Sequence, residues 1–122
     1  MLTLKQDHSE LVVLSVLSTG PSYGYAISKD IANRSDGHFK LSPSGMYPLL
    51  TKLEKSGLVT TSWEEVKAAG ADPESTGRRR KWYTLSPKGH KHLSRRIEHH
   101  RQVQSILDGF VPQSIPDELA NG

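Results

Sequence analysis

The chain has 122 residues, enough for one domain with an appendage and short for two. Only 34% of it is hydrophobic, so a single copy has a thin core and any leftover apolar face is a candidate for self-association. It has no cysteine, which excludes disulfide frameworks, thiolate zinc sites and cysteine nucleophiles. Its most apolar stretch, Leu11 to Leu17, is far shorter than the ~20 residues of a membrane span.

No basic segment precedes that stretch and no small-residue cleavage site stands out, so a cytosolic protein without membrane contact is expected. The net charge of +3 is unevenly spread. From Arg78 to Arg101 there are nine basic residues against one acid, Glu98, while the remainder carries seven against twelve. Such concentration points to a local polyanion contact, with a solvated basic face as the plainer alternative.

In chain order, residues 8 to 18 read as a helix that the Gly20-Pro21 pair stops, apolar on most sides and so buried from several directions. Ser22 is placed to cap a second helix, Tyr23 to about Arg34, with Tyr23, Ala26, Ile27 and Ile31 as its stripe. Asp36-Gly37 ends it, and His38 to Leu41 is a short extended piece. Ser42-Pro43 supplies a cap and a first-turn proline for a third helix to about Ser56, which Gly57 stops in the left-handed conformation. Met46, Leu49, Leu50 and Leu53 form its inward stripe, opposite Ser44, Tyr47, Thr51, Lys52 and Lys55. Pro48 breaks the pattern, since an interior proline costs about 3 kcal/mol.

Leu58 to Val66 and Arg79 to Leu85 read as two strands of a hairpin, joined by a long loop expected to be mobile at its tip. Ser86-Pro87 repeats the cap-plus-proline signal and opens a long helix to about Asp108, with Gly109 as a stop and a frayed tail from Pro112. The fold class is therefore mainly α with a small β-hairpin: a winged helix-turn-helix plus a long C-terminal dimerisation helix. The expected divisions are a DNA-binding domain over 1–86, the dimerisation helix over 87–110 and a flexible tail over 111–122.

A helix that reads DNA needs small or polar groups at its start, so that backbone and amide dipoles can approach a phosphate. Ser42, Ser44 and Gly45 meet this need; Tyr47 can follow against a phosphate, sugar or base edge, with core packing as its other reading. Lys52 and Lys55 lie further along, within reach of phosphates. Arg78, Arg79, Arg80 and Lys81 leave the loop together, and their mutual repulsion is what an adjacent phosphate backbone would relieve. Trp63 and Trp82 are expected to face each other across the hairpin, as packing residues first and ligand walls second.

On the last helix, Leu93, Ile97, His100, Val103, Gln104, Leu107 and Phe110 fall in a single stripe. With Leu11 and Leu14 of the apolar first helix, this stripe is the expected homodimer interface, placing two reading helices on one duplex. His100 in that seam raises the question of a pH-dependent dimer. The six histidines lack the i, i+4 pairing with a nearby acid that a zinc site wants, so no metal and no cofactor are expected. Phosphate-loop, dinucleotide and serine-elbow motifs are absent too, which argues against an enzyme.

Four segments then stand out: Leu17-Ser-Thr-Gly-Pro-Ser-Tyr-Gly-Tyr25, Phe39-Lys-Leu-Ser-Pro-Ser-Gly-Met-Tyr-Pro48, Leu53-Glu-Lys-Ser-Gly-Leu-Val59 and Arg79-Arg-Lys-Trp-Tyr-Thr-Leu-Ser-Pro-Lys-Gly89. Through them the chain resembles the PadR family of bacterial transcriptional regulators, its short subgroup with a single C-terminal helix, over roughly residues 11 to 93. The resemblance covers Pro48, which the family tolerates there. It implies a homodimeric repressor on a pseudo-palindromic operator in double-stranded DNA, with Ser42, Ser44, Tyr47 and Lys52 matching the DNA-facing motif and Arg79 and Arg80 the wing. It also implies relief of repression by a small aromatic or drug-like effector near the dimer interface. The last helix has no Trp, the aromatic with which some short relatives stack their ligands, and the wing loop is longer than is common. Two rival readings are a winged-helix module for protein interaction, against which the clustered charge of Arg78 to Lys81 argues, and a ligand sensor not acting through DNA.

Overall fold

The computed structural model describes residues 6–66 and 78–114. The expected mobile loop and most of the tail, including residues 115–122 of the expected third division, lie outside them. The elements are α1 (Gln6–Leu17), β1 (Ser22–Tyr23), α2 (Gly24–Arg34), α3 (Pro43–Lys55), β2 (Val59–Val66), β3 (Arg78–Leu85) and α4 (Pro87–Asp108). The strands form one antiparallel sheet in the order β1-β3-β2.

The apolar all-round character of α1 is explained by its neighbours. It packs on α2, α4 and β3, and Val13, Leu14, Val16 and Leu17 are all buried. Against it lie Ile27 and Ile31 of α2, the expected α3 stripe of Met46, Leu49, Leu50 and Leu53, and Leu58, Val59, Tyr83, Leu85 and Leu93. The α3 helix runs through Pro48 without interruption, with the ring on its exposed side. The missing N–H leaves the Ser44 carbonyl without a helical donor at the solvent-facing start of the helix, where the loss is least costly.

Two sequence expectations need correction. Ser22 does not cap α2: it pairs with Tyr83 in the sheet, and Tyr23, extended at φ −126°, takes the cap position with no side-chain bond. Gly20, at φ +140°, makes the turn that delivers these two residues to the free edge of β3. His38 to Leu41, by contrast, joins no strand. The Phe39 N–H donates to Ser35 Oγ (3.0 Å), Ser28 Oγ donates to the Leu41 carbonyl (3.0 Å), and both apolar side chains rest on the core. The last helix ends at Asp108 with Gly109 as its cap, as expected, in right-handed angles.

The junction of α3, β2 and α4 is tied tightly. Ser86 Oγ accepts from the Gly89 N–H (3.0 Å) and donates to the Gly57 carbonyl (2.6 Å), while the Ser86 N–H donates to the Leu58 carbonyl (3.0 Å). Gly57, at φ +76°, is the left-handed stop expected after α3. Gly89 presses directly on this turn. A Cβ there would overlap the Leu58 carbonyl oxygen and lie 2.7 Å from Leu85 Cδ1. Helix propensity alone would favour Gly89→Ala by about 1 kcal/mol, but forced overlap with backbone costs roughly 1–3 kcal/mol or more. The variant is therefore expected to be less stable than the wild type, read as a lower urea midpoint at unchanged slope.

Candidate nucleic-acid interface

The α3 helix sets its buried stripe against the core and turns its other side outward. Ser42, Ser44, Gly45, Tyr47, Thr51, Lys52 and Lys55 are all exposed. Ser42 occupies the cap position, but its hydroxyl meets Ser44 Oγ (2.9 Å) instead of a helical N–H. The start of α3 therefore presents two hydroxyls and a glycine to solvent, while the Gly45 and Met46 N–H groups both donate to the Ser42 carbonyl (3.0 and 2.8 Å). Tyr47 is 47% exposed, which decides against the core reading. Its ring lies over Gly24 at the start of α2, and a Cβ at Gly24 would overlap the phenol oxygen and come within 2.9 Å of Cζ. The glycine makes room for the tyrosine, a pairing between positions 24 and 47 that no local pattern announces.

Beside α3 stands the hairpin, and Glu54 fixes the angle between them. Thr61 Oγ1 of β2 donates to Glu54 Oε2 (2.5 Å), and Lys81 Nζ of β3 donates to Glu54 Oε1 (3.3 Å). One carboxylate of the reading helix thus holds both strands of the wing. The Thr61 hydroxyl bond, helped by Lys81, keeps the Glu54 carboxyl below the usual carboxylate range against an opposing push from burial. Burial, with Tyr47 and Glu54 nearby, pushes the Tyr83 phenol up.

The basic run separates by side. Pairing sets Trp63 opposite Lys81, Glu65 opposite Arg79, Ser62 opposite Trp82 and Glu64 opposite Arg80. Side chains alternate along a strand, so Trp63 and Trp82 project from opposite faces and do not meet, contrary to the expectation from sequence. On the face shared with Tyr83 and α3, the Arg79 guanidinium lies 4.7 Å from the centre of the Trp63 ring and Lys81 Nζ 5.6 Å from it. On the other face, Arg80 lies 4.0 Å over Tyr23, Tyr23 meets Trp82 edge-on, and Trp82 Nε1 donates to Glu64 (2.5 Å). Lys81, expected on DNA, is paired with Glu54. Arg78 begins β3, and its side chain lies outside what the structure describes.

The expected dimer stripe of α4 divides along its length. Leu14 and Leu93 are buried in this chain's own core at 0% and 5% exposure, because the first turns of α4 pack on α1; they are removed from the candidate surface. Leu11 and Ile97 are half-buried against that core. His100, Val103, Gln104, Leu107 and Phe110 are exposed, and Gln104 Nε2 donates to Asp108 Oδ1 (3.0 Å). Ile106 and Val111, left out of the stripe, are exposed beside it. Where α1 and α4 diverge, a cleft of about 590 Å³ opens, lined among others by Leu11, Val103, His8, His99, His100 and Arg95. Glu10 ties its edge by accepting from His92 (2.9 Å) and pairing with Arg96 (3.6 Å). Among the described residues no group of three His, Cys, Asp or Glu side chains is placed to hold a metal ion, and no helix is long and apolar enough to cross a membrane.

A depressed carboxyl pKa contributes stability that is present above its unfolded value and lost as pH falls through its folded one. Wild type is therefore expected to exceed Glu54→Gln in stability at neutral pH, and the gap to close below the ordinary value of 4.5. Paired urea titrations from neutrality to about pH 3 measure this; a gap that stays constant would mean the charge on Glu54 plays no part.

Known proteins agree with this architecture. Residues 13–95 match the model of the transcriptional regulator PadR-like family. A transcriptional regulator from Clostridium thermocellum is similar with a TM-score of 0.74 and 27% identity, covering 88% of this chain and 96% of that one. A protein from Streptococcus mutans UA159 is similar at 0.73 and 31% identity, over 94% and 96%. A PadR family transcription regulator from Clostridium difficile R20291 is similar at 0.67 and 25% identity, over 85% and 98%. The matched family is one of transcriptional regulators, so the argument against catalysis rests on kinship as well as on missing motifs. The winged helix, the exposed face of α3 and a family match across most of the chain together make this protein a member of the PadR-like family of transcriptional regulators.

Proposed function

We propose that the protein is a homodimeric repressor acting in the cytoplasm on a pseudo-palindromic operator, and that a small aromatic or drug-like effector relieves repression. The observation that carries the DNA-binding face is the exposed side of α3, from Ser42 to Lys55, held beside a basic wing by Glu54. The helix enters the major groove by its first turns, where the hydroxyls of Ser42 and Ser44 and the close approach allowed by Gly45 meet the backbone. Tyr47 is the first side chain with reach to a base edge. Lys52 and Lys55, at the far end, neutralise phosphates.

Exposed Val103, Ile106, Leu107 and Phe110, the last at 83%, support pairing of α4 with a second copy. Twofold pairing would repeat α3 at about one helical turn of DNA, the spacing of two operator half-sites. Half-buried Leu11 and Ile97 line the approach to that seam. The cleft between α1 and α4 opens beside it and supports a place for the effector; an aromatic body would rest on Leu11 and Val103.

Two outcomes test these assignments. Lys52→Ala is expected to weaken binding to different duplexes alike and to reduce the slope of log affinity against log salt by about one. A loss confined to one base position would contradict the phosphate role. Leu107→Asp, which places a charge on the exposed face without touching the core, is expected to halve the mass seen by light scattering at micromolar concentration. A wild type that is already a single copy at that concentration overturns the dimer.

A further inference from the structure

The chain has six histidines, none of which the DNA-binding face uses, and α4 carries four of them. Spaced by about one helical turn, His92, Arg96 and His100 form a row along α4, with Arg95 and His99 as a second row beside it. Basic groups four apart oppose each other once charged, so these rows work against the helix that holds them. Both rows line the cleft of about 590 Å³ between α1 and α4, and His8 joins them from α1. Glu10 stands at its edge, already committed to His92 (2.9 Å) and Arg96 (3.6 Å), and among the described residues no other carboxylate lines the cleft. Two arginines outnumber that carboxylate, so the cleft is net positive even with every imidazole neutral. Arg95, His8, His99 and His100 are exposed, and their side chains form no ion pair or hydrogen bond among the described residues.

We propose that this cleft binds a small organic phosphate, its phosphate group held by Arg95 and the imidazoles of His8, His99 and His100. The assignment rests on the reading above that the cleft takes an effector, and it names the chemistry of that effector. Arginine only donates hydrogen bonds, and a charged imidazole donates from both nitrogens, so such a lining selects a ligand rich in acceptors. A phosphate monoester brings three terminal oxygens and a charge of about −1.5 to −2 near neutrality. A carboxylate brings two oxygens and one charge, and a phenol less still. Arg95 can meet two phosphate oxygens with parallel N–H bonds, which leaves the third to the imidazoles. A dianion among them favours their charged forms and offsets the repulsion along both rows. Glu10 already neutralises the half-buried part of those rows, His92 and Arg96, so the exposed part is left for the ligand. Leu11 and Val103 give its organic body an apolar rest.

The test follows the imidazole signals of the full-length protein by NMR during titration with phenyl phosphate, benzoate and phenol at fixed ionic strength. His38 and His90 do not line the cleft and serve as internal references. Phenyl phosphate at millimolar concentration is expected to shift His8, His99 and His100, to leave His38 and His90 in place, and to bind about tenfold tighter than benzoate. Arg95→Gln is expected to lower that affinity about tenfold with an unchanged circular dichroism spectrum, and His90→Gln to leave it within about twofold. Raising the pH from about 6.5 to 8 is expected to weaken binding several-fold, because imidazoles lose charge there while arginines, carboxylates and the phosphate dianion keep theirs. Benzoate or phenol shifting the same three signals as strongly overturns the phosphate class and leaves the cleft as an effector site. Equal shifts at all six histidines, or an affinity that neither Arg95→Gln nor pH moves, put the anion elsewhere and overturn the proposal. No shift at His8, His99 or His100 from any of the three compounds overturns the effector reading of the cleft as well.

Discussion

A single carboxylate determines how the two exposed parts of this fold face outward. Glu54 sits on α3, yet its oxygens are bonded to Thr61 on one strand of the hairpin and Lys81 on the other. A two-stranded ribbon extending past the core would otherwise be free to twist and swing about its base. With both strands held, at Thr61 and two registers further along at Lys81, the hairpin projects at an angle set by the helix. The bond is charge-assisted and only partly shielded from water, so its worth lies less in global stability than in orientation. Residues beyond it, Trp63 and Arg79, inherit that orientation without touching the helix.

The same arrangement explains why charge density and charge function differ here. Four consecutive basic residues look equivalent in composition, but a strand has a period of two and its faces have different neighbours. Alternation sends Arg79 and Lys81 to the side of α3 and Arg80 to the other. Aromatic rings absorb part of the repulsion on each side, Trp63 under Arg79 and Tyr23 under Arg80. The crowding that suggested a polyanion partner is therefore partly relieved inside the protein, where Arg79 and Arg80 each have a glutamate, Glu65 and Glu64, opposite them in register.

Much of the fold was legible because its signals are local. The Met46, Leu49, Leu50 and Leu53 stripe follows the helical period, Gly57 sits where a left-handed stop is required, and Ser86 caps α4 as its sequence suggests. What escaped was long-range or short of a period. Two residues, Ser22 and Tyr23, cannot show alternation, so their place at the edge of β3 had no signature. The relative faces of Trp63 and Trp82 depend on register, and two strands separated by eleven residues of sequence do not have their register fixed by it. Leu14 and Leu93 were placed on a dimer surface because a helical wheel shows which residues share a face, not which part of a long helix another element already covers. On α3 the exposed candidates were read correctly as exposed, whereas the supports of the site depend on separated pairs: Gly24 lies 23 residues from Tyr47, and Glu54 lies 7 from Thr61 and 27 from Lys81.

The two halves of α4 give the molecule its mechanical logic. Its first turns belong to the core: Ser86 bonds the Gly57 carbonyl, Gly89 packs against the Leu58 backbone, and Leu93 closes the cluster on α1. Its later turns carry the exposed apolar face. Because the helix is continuous, its direction is fixed at the very turn that ends α3, so the axis of the proposed pairing and the axis of the reading helix are set by one junction. A change in the tilt of α4 against α1, at the cleft where Glu10 links His92 and Arg96, would then shift the distance between two α3 helices with little deformation of either one. A ligand entering that cleft gains this control only by binding one tilt better than the other, since equal affinity for both would move nothing.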